Sequence, residues 1–214
     1  MTFEAPAAGN ANLVARVKGI LLQPTAEWNR IDGERSDIKS LFTGYAAILA
    51  AIGPIAALIG GQLFPISVFG VVARTPIVGA VIGAVLAYVL ALVGTYVLGL
   101  IIEALAPSFG GEKNRLQAMK VAVYSSTASW LAGIFGIFPA LAILSIVGLY
   151  SLFLLYKGLP ILMKSPQDKA IGYTVVVIIA AIVVWIVIGT IVAAVTATFA
   201  AGAVGAAGLA GYGL

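Results

Sequence analysis

Four stretches of this chain carry no charge: Lys39 to Arg74, Arg74 to Glu103, Lys120 to Lys157, and everything after Lys169. Each exceeds the roughly 20 apolar residues needed to cross a hydrocarbon core of about 30 Å. The first predicts a helix over Leu41 to Leu63, with Gly53 and Pro54 near its middle. Proline there removes a backbone donor and predicts a kink. After a loop from Phe64 to Thr75, Pro76 opens a second helix that runs to about Ala106. The stretch from Lys120 to Lys164 is too long for one helix at about 1.5 Å per residue. The sequence "GIFP", Gly136 to Pro139, offers the break. This gives a third span over Leu116 to Phe138 and a fourth over Ala140 to Met163, the latter interrupted at Pro160. A fifth begins near Ile171 and ends near Phe199, and residues 201–214 read as a flexible Ala/Gly tail.

Before the first span, Leu13, Val17, Ile20 and Leu21 recur at helical spacing, and Pro24 ends the run. Arg16 and Lys18 make this a basic amphipathic helix expected to lie on the membrane surface. Trp28 follows in "PTAEWNRIDGERSDIK" and suits the headgroup layer. The expected fold is therefore all-α: a polytopic bundle of five transmembrane helices over residues 41–200, behind a cytoplasmic segment 1–40 that carries an amphipathic interfacial helix.

Composition agrees with this pattern. Of 214 residues, 62 % are hydrophobic and 9 % charged, against roughly 25 % charged in soluble domains. Residues 1–40 carry both charge signs and no signal-peptide core, so the first apolar run is expected to stay as an anchor. Cys and His are absent. That removes disulfides, thiolate or imidazole metal sites, and Cys or His catalysis; no metal and no cofactor is expected. The net charge of +4 belongs to no soluble basic domain, so nucleic acid is not an expected partner.

Charge also orients the chain. With five spans, Arg16, Lys18, Arg30, Arg35, Lys39, Lys113, Arg115, Lys120, Lys157, Lys164 and Lys169 fall on one side and Arg74 alone on the other. The asymmetry predicts a cytoplasmic N-terminus and an external C-terminus in an inner membrane.

"LLQPTAEW" at the end of the amphipathic helix and "GLYSLFLLYKGLPILMKSPQDKAIGYTVVV" across the last loop resemble the Yip family, the Rab-interacting multi-pass membrane proteins, in a bacterial form. The resemblance covers roughly residues 13–195. It implies five spans, a cytosolic N-terminus and an external C-terminus, and it does not imply a catalytic activity. Rab-type GTPase binding in eukaryotic members goes with an Asp-Leu-Tyr-Gly-Pro motif, whose absence here argues against it for this chain.

Two residue groups are candidates for function. Glu103, Lys157 and Lys120 share a computed depth, and with the hydroxyls of Tyr124 and Tyr156 they predict an intramembrane polar cluster. The bland alternative for Lys157 is snorkelling to the headgroups. The second group, Arg16, Lys18, Trp28, Lys113, Arg115, Lys164 and Lys169, is expected at the surface on anionic lipid. The hydroxyls of "YSSTASW", Tyr124 to Trp130, read mainly as bonded to their own or neighbouring helices. No motif supports a Ser126–Lys157 dyad. The expected function is non-enzymatic organisation of lipid or protein partners at the inner face. Expected partners are the bilayer with its anionic lipids, and a second copy or another membrane protein. The alternative is a transporter or lipid scramblase using the polar cluster.

Overall fold

The computed structural model describes residues 13–64, 66–68, 71–73 and 76–211. Arg74, the cation assigned to the far side, lies outside them. Two short helices, α1 (Leu13–Leu22) and α2 (Pro24–Gly33), come first. Pro24 stands at the start of α2, where a missing N–H is harmless. The first apolar column follows as α3 (Ile38–Leu41), a π-helical turn (Phe42–Ala46), α4 (Ala47–Ala50) and α5 (Ile52–Leu63). Asp37 caps it by accepting the N–H of Ser40. The column is interrupted at Ala51, next to the Ala50 carbonyl that Pro54 cannot reach as a donor.

The segment expected as a loop contains a small hairpin. Strand β1 (Ile66–Val68) runs antiparallel to β2 (Val71–Ala73), with Ile66 opposite Ala73 and Val68 opposite Val71. The long α6 (Ile77–Leu105) continues into a 3-10 turn (Ala106–Phe109), which Gly110 closes at φ 69°.

Next come α7 (Arg115–Ser125), α8 (Thr127–Ala132) and a 3-10 stretch (Gly133–Ile137). The break at Ser126 has a local cause. Ser125 and Ser126 both donate to the Ala122 carbonyl and Thr127 donates to that of Tyr124, bonds that compete with the helical ladder. Every residue of α7 from Ala118 to Ser125 is buried, as befits a helix surrounded on all sides.

A 3-10 run (Pro139–Leu149), long for that geometry, leads into α9 (Tyr150–Leu162), which continues through Pro160. The last helix, α10 (Gln167–Gly211), extends into the Ala/Gly stretch that was expected to be a tail.

Among the described residues, four helical stretches are long and apolar enough to cross a membrane: Ile38–Leu63, Ile77–Phe109, Pro139–Leu162 and Gln167–Ala200. The column 115–137 lies beside them, shortened as a regular helix by its break at Ser126. Side chains of α10 fill the glycine gaps of α6: Ile188 at Gly94, Thr196 at Gly83 and Phe199 at Gly79. The stretch α5 meets Gly133–Ile137 backbone to backbone. A Cβ at Gly60 would stand 2.3 Å from the Gly136 carbonyl oxygen, so only small residues permit that approach.

Candidate functional site

The α1–α2 pair does not float beside the bundle as a surface helix. Its turn folds Glu27 back over Gly19, and the pair packs with α2 on α9 and α1 on α8. Trp28 is fully buried, lying across Gly158, where a Cβ would stand 2.7 Å from its ring. Tyr150 donates to the Leu21 carbonyl over 3.0 Å. Trp28 was expected in the headgroup layer. It is instead a core residue, because "LYKGLP" offers a glycine seat that fits an indole.

This docking carries Arg16 into the interior, where it is 4 % exposed. Its Nη1 donates to Glu27 and its Nη2 to Glu34, both over 2.5 Å. Its guanidinium also lies 5.5 Å from the centre of the Tyr124 ring. Arg16 was expected on anionic lipid; two carboxylates of its own chain hold it instead. A sequence signal for this existed. Arg16 falls three residues after Leu13 and four before Ile20, so it shares their helical face. Burial alone would lower the pKa of Arg16, but the Glu34 hydrogen bond and the nearby carboxylates outweigh it, and the pKa lies above its ordinary value.

Around this pair stands a polar layer. Lys120, 1 % exposed, donates from Nζ to the carbonyls of Ile31 (2.9 Å) and Glu34 (2.8 Å), tying the end of α2 to α7. Tyr45 and Thr127 share a 2.8 Å hydrogen bond, and the Tyr45 ring meets Tyr124 edge-on at 4.8 Å. Tyr124 in turn meets Trp28 at 6.3 Å. Beside the layer lies a cavity of about 240 Å³, bordered by Arg16, Glu34, Ser36, Ser40, Thr43 and Tyr45. Tyr45 and Tyr124 stand seven and nine residues inside the starts of their columns, about 10 and 14 Å along a helix.

The expected polar cluster is thus divided among three places. Lys120 and Tyr124 belong to the Arg16 layer. Glu103 is bonded instead by Arg115 Nε at 2.9 Å, because the chain turns back between α6 and α7 and brings these residues together. Lys157 rests over the rings of Phe153 and Tyr156, 5.6 and 5.8 Å from their centres. Ser126 donates to the Ala122 carbonyl at 2.8 Å, which leaves its hydroxyl serving the helix. Of the expected surface cations, Lys18, Lys113 and Lys169 are exposed; Lys164 is also exposed but bonded to Asp32. Among the described residues, no group of acids could hold a metal ion.

The chain is 25 % identical over 175 residues to "Inner membrane protein YohC" of Escherichia coli strain K12, an alignment covering 75 % of this chain and 85 % of that protein. The same protein of E. coli O6:H1 matches equally. No solved structure gives a significant match. The sequence model of the Yip1 domain matches residues 18–188, from α1 into α10, and so the chain belongs to the Yip1 domain family.

Proposed function

We propose that this chain is a non-enzymatic inner-membrane protein that crosses the bilayer five times, N-terminus in the cytoplasm, and organises anionic lipids at the inner face. The fifth crossing is the interrupted column 115–137. At about 1.5 Å per α-helical residue and 2.0 Å in its 3-10 end, it exceeds the roughly 30 Å of a hydrocarbon core. The cation asymmetry supports the orientation.

One observation carries the lipid reading. The loops after α6 and α9 are joined by the Glu112 N–H bonded to the Met163 carbonyl at 2.7 Å, with Gly110 packed on Pro166. Exposed Lys113 and Lys169 therefore share one rigid end of the bundle, and nearby lysines gain about 1 kcal/mol each from an anionic surface.

Electron spin resonance on the reconstituted chain tests this. Spin-labelled phosphatidylglycerol should be immobilised in preference to phosphatidylcholine, and the preference should fall in Lys113→Gln/Lys169→Gln. Equal immobilisation of both lipids would refute it. Because the chain has no cysteine, Lys113→Cys and Phe138→Cys are clean topology reporters. Labelling of both from the same side would refute the five-span reading.

A further inference from the structure

The contacts that seat the N-terminal helices on α9 also fix how deep they reach. Tyr150 donates to the Leu21 carbonyl over 3.0 Å, Gly158 receives Trp28, and Lys164 pairs with Asp32. Successive residues of α2 thus meet successive residues of α9, so the two helices run side by side in the same direction. Arg16, near the start of α1, is bonded to Glu34 just past the end of α2, so α1 runs the opposite way. The pair is a hairpin standing along the bundle axis, with its turn, Leu21 to Pro24, at the end away from the charged loops.

The level of that turn follows from the lengths of the columns. The rings of Phe64 and Phe138 meet at 5.4 Å, where the first apolar column ends and the run Pro139–Leu149 begins. From Pro139, eleven residues at about 2.0 Å and eight more at about 1.5 Å carry the chain about 34 Å to Lys157, enough to cross a core of roughly 30 Å. Lys157 is the first charge after Lys120, and it marks the edge of the hydrocarbon on the charged side. The first column agrees, since Tyr45 stands about 28 Å from Phe64 along a helix. Tyr150 lies seven residues before Lys157, about 10 Å farther into the membrane. Helical side chains lean toward the N-terminus, here away from Lys157. The turn bonded to the Tyr150 hydroxyl therefore lies inside that edge. Leu22, 77 % exposed at its tip, is on the flank of the bundle at a depth where acyl chains are the surroundings.

The polar residues of the hairpin follow the same gradient. Arg30 lies on the charged side of the Trp28–Gly158 contact, 3.5 Å from Glu34, at the level of the headgroups. Lys18, one turn back from Leu22, reaches them on its long stem. Exposed Gln23 and Thr25 flank the tip and suit the ester layer, so the insertion is shallow, within the roughly 5–10 Å typical of interfacial helices.

We propose that α1–α2 is a wedge in the leaflet on the charged side of the bundle, upright against α9, with its turn immersed tip first among the acyl chains of neighbouring phospholipids. The wedge depends on neither the lysines of the loops nor the number of crossings, and stands or falls independently of them.

Spin labels test it in the full-length chain, in nanodiscs of phosphatidylcholine and phosphatidylglycerol. Val14 and Leu22 are exposed by 54 % and 77 %, and at eight residues apart they share one face of α1. A helix lying flat on the membrane holds them at one depth, whereas an upright one separates them by about 12 Å. The chain has no cysteine, so Val14→Cys, Leu22→Cys and, as a reference on α9, Leu152→Cys each carry a single label at an exposed position. Oxygen, which concentrates in the acyl region, should relax the labels at Leu22 and Leu152 more than a water-soluble nickel chelate does, and the order should reverse at Val14. Equal depth for Val14 and Leu22 overturns the upright hairpin. A Leu22 label that nickel relaxes more than oxygen, or that is shielded from both, overturns its contact with acyl chains. Nickel dominance at Leu152 overturns the depth assigned to Lys157, and the proposal with it.

Discussion

Replacing Arg16 with methionine keeps much of the side chain's apolar length but removes the cation that faces Glu27 and Glu34. The side-chain exposures are 5 % for Arg16, 12 % for Glu27 and 21 % for Glu34, so the carboxylates have little water to turn to. Breaking a buried pair by deleting one partner costs about 3–5 kcal/mol; the partial access at Glu34 places this case near the lower end, about 3 kcal/mol. At about 1.4 kcal/mol per tenfold, the docked state of α1–α2 should lose roughly a hundredfold in population. Hydrogen exchange of α1 and α2 amides in nanodiscs reads this directly, and their exchange should accelerate while that of α6 and α10 does not. The triple variant Arg16→Met/Glu27→Gln/Glu34→Gln should regain most of the protection, since replacing a whole buried ion cluster is often neutral. Unchanged exchange in Arg16→Met would refute the claim that this cluster holds the N-terminal helices, and a triple variant worse than the single would refute the electrostatic account.

Other consequences are open to test. Gly158→Ala should destabilise docking by about 1–3 kcal/mol through overpacking against Trp28, read as a lower melting midpoint, and Trp28→Leu should restore part of it. Gly60→Ala should be at least as damaging, because the added Cβ would stand 2.3 Å from backbone oxygen of Gly136 and no side chain can yield. Lys120→Met should free the end of α2, because the carbonyls of Ile31 and Glu34 lose a shared donor; faster exchange there with α10 unaffected is the expected result. The Asp37 cap carries a pH signature. The backbone N–H of Ser40, then its hydroxyl, hold the carboxyl below the ordinary value of 3.8. A depressed folded pKa stabilises above the unfolded value and is lost as pH falls through the folded one. Protection at the start of the first column should therefore persist through mildly acidic pH and fall only below the usual carboxylate range, and Asp37→Ala should remove this dependence.

The Arg16 layer also shows why reading depth from sequence misled. Glu103, Lys120 and Lys157 were grouped because their distances from helix ends match. Equal depth places residues in one plane but says nothing about azimuth around the bundle. The turn through Ala106–Phe109 gives Glu103 its neighbour Arg115, while Lys157 lies over aromatic rings of its own helix. Similarly, the glycines of α6 let another helix come close, but nothing in the sequence says that Ile188, Thr196 and Phe199 of α10 would fill the gaps.

Hydrophobic run lengths by themselves determined that this is a helical membrane protein, since a chain this poor in charge must satisfy its backbone within helices to enter lipid. Pro54 marked a place where its column falters, because a missing donor acts over one turn, whereas α9 runs on through Pro160, and the break at Ser126, where the "YSSTASW" hydroxyls compete with the ladder, was not expected. Local sequence likewise set the starts at Asp37 and Pro24. What only the tertiary structure decided is how the N-terminal helices sit. A cation three residues from one apolar position and four from another shares their helical face, but the helix alone does not say which groups will meet it there. The choice falls to Glu27 and Glu34, which the turn between α1 and α2 folds back onto Arg16, and to Gly158, distant in sequence, which receives Trp28 only once the bundle has formed a seat for it.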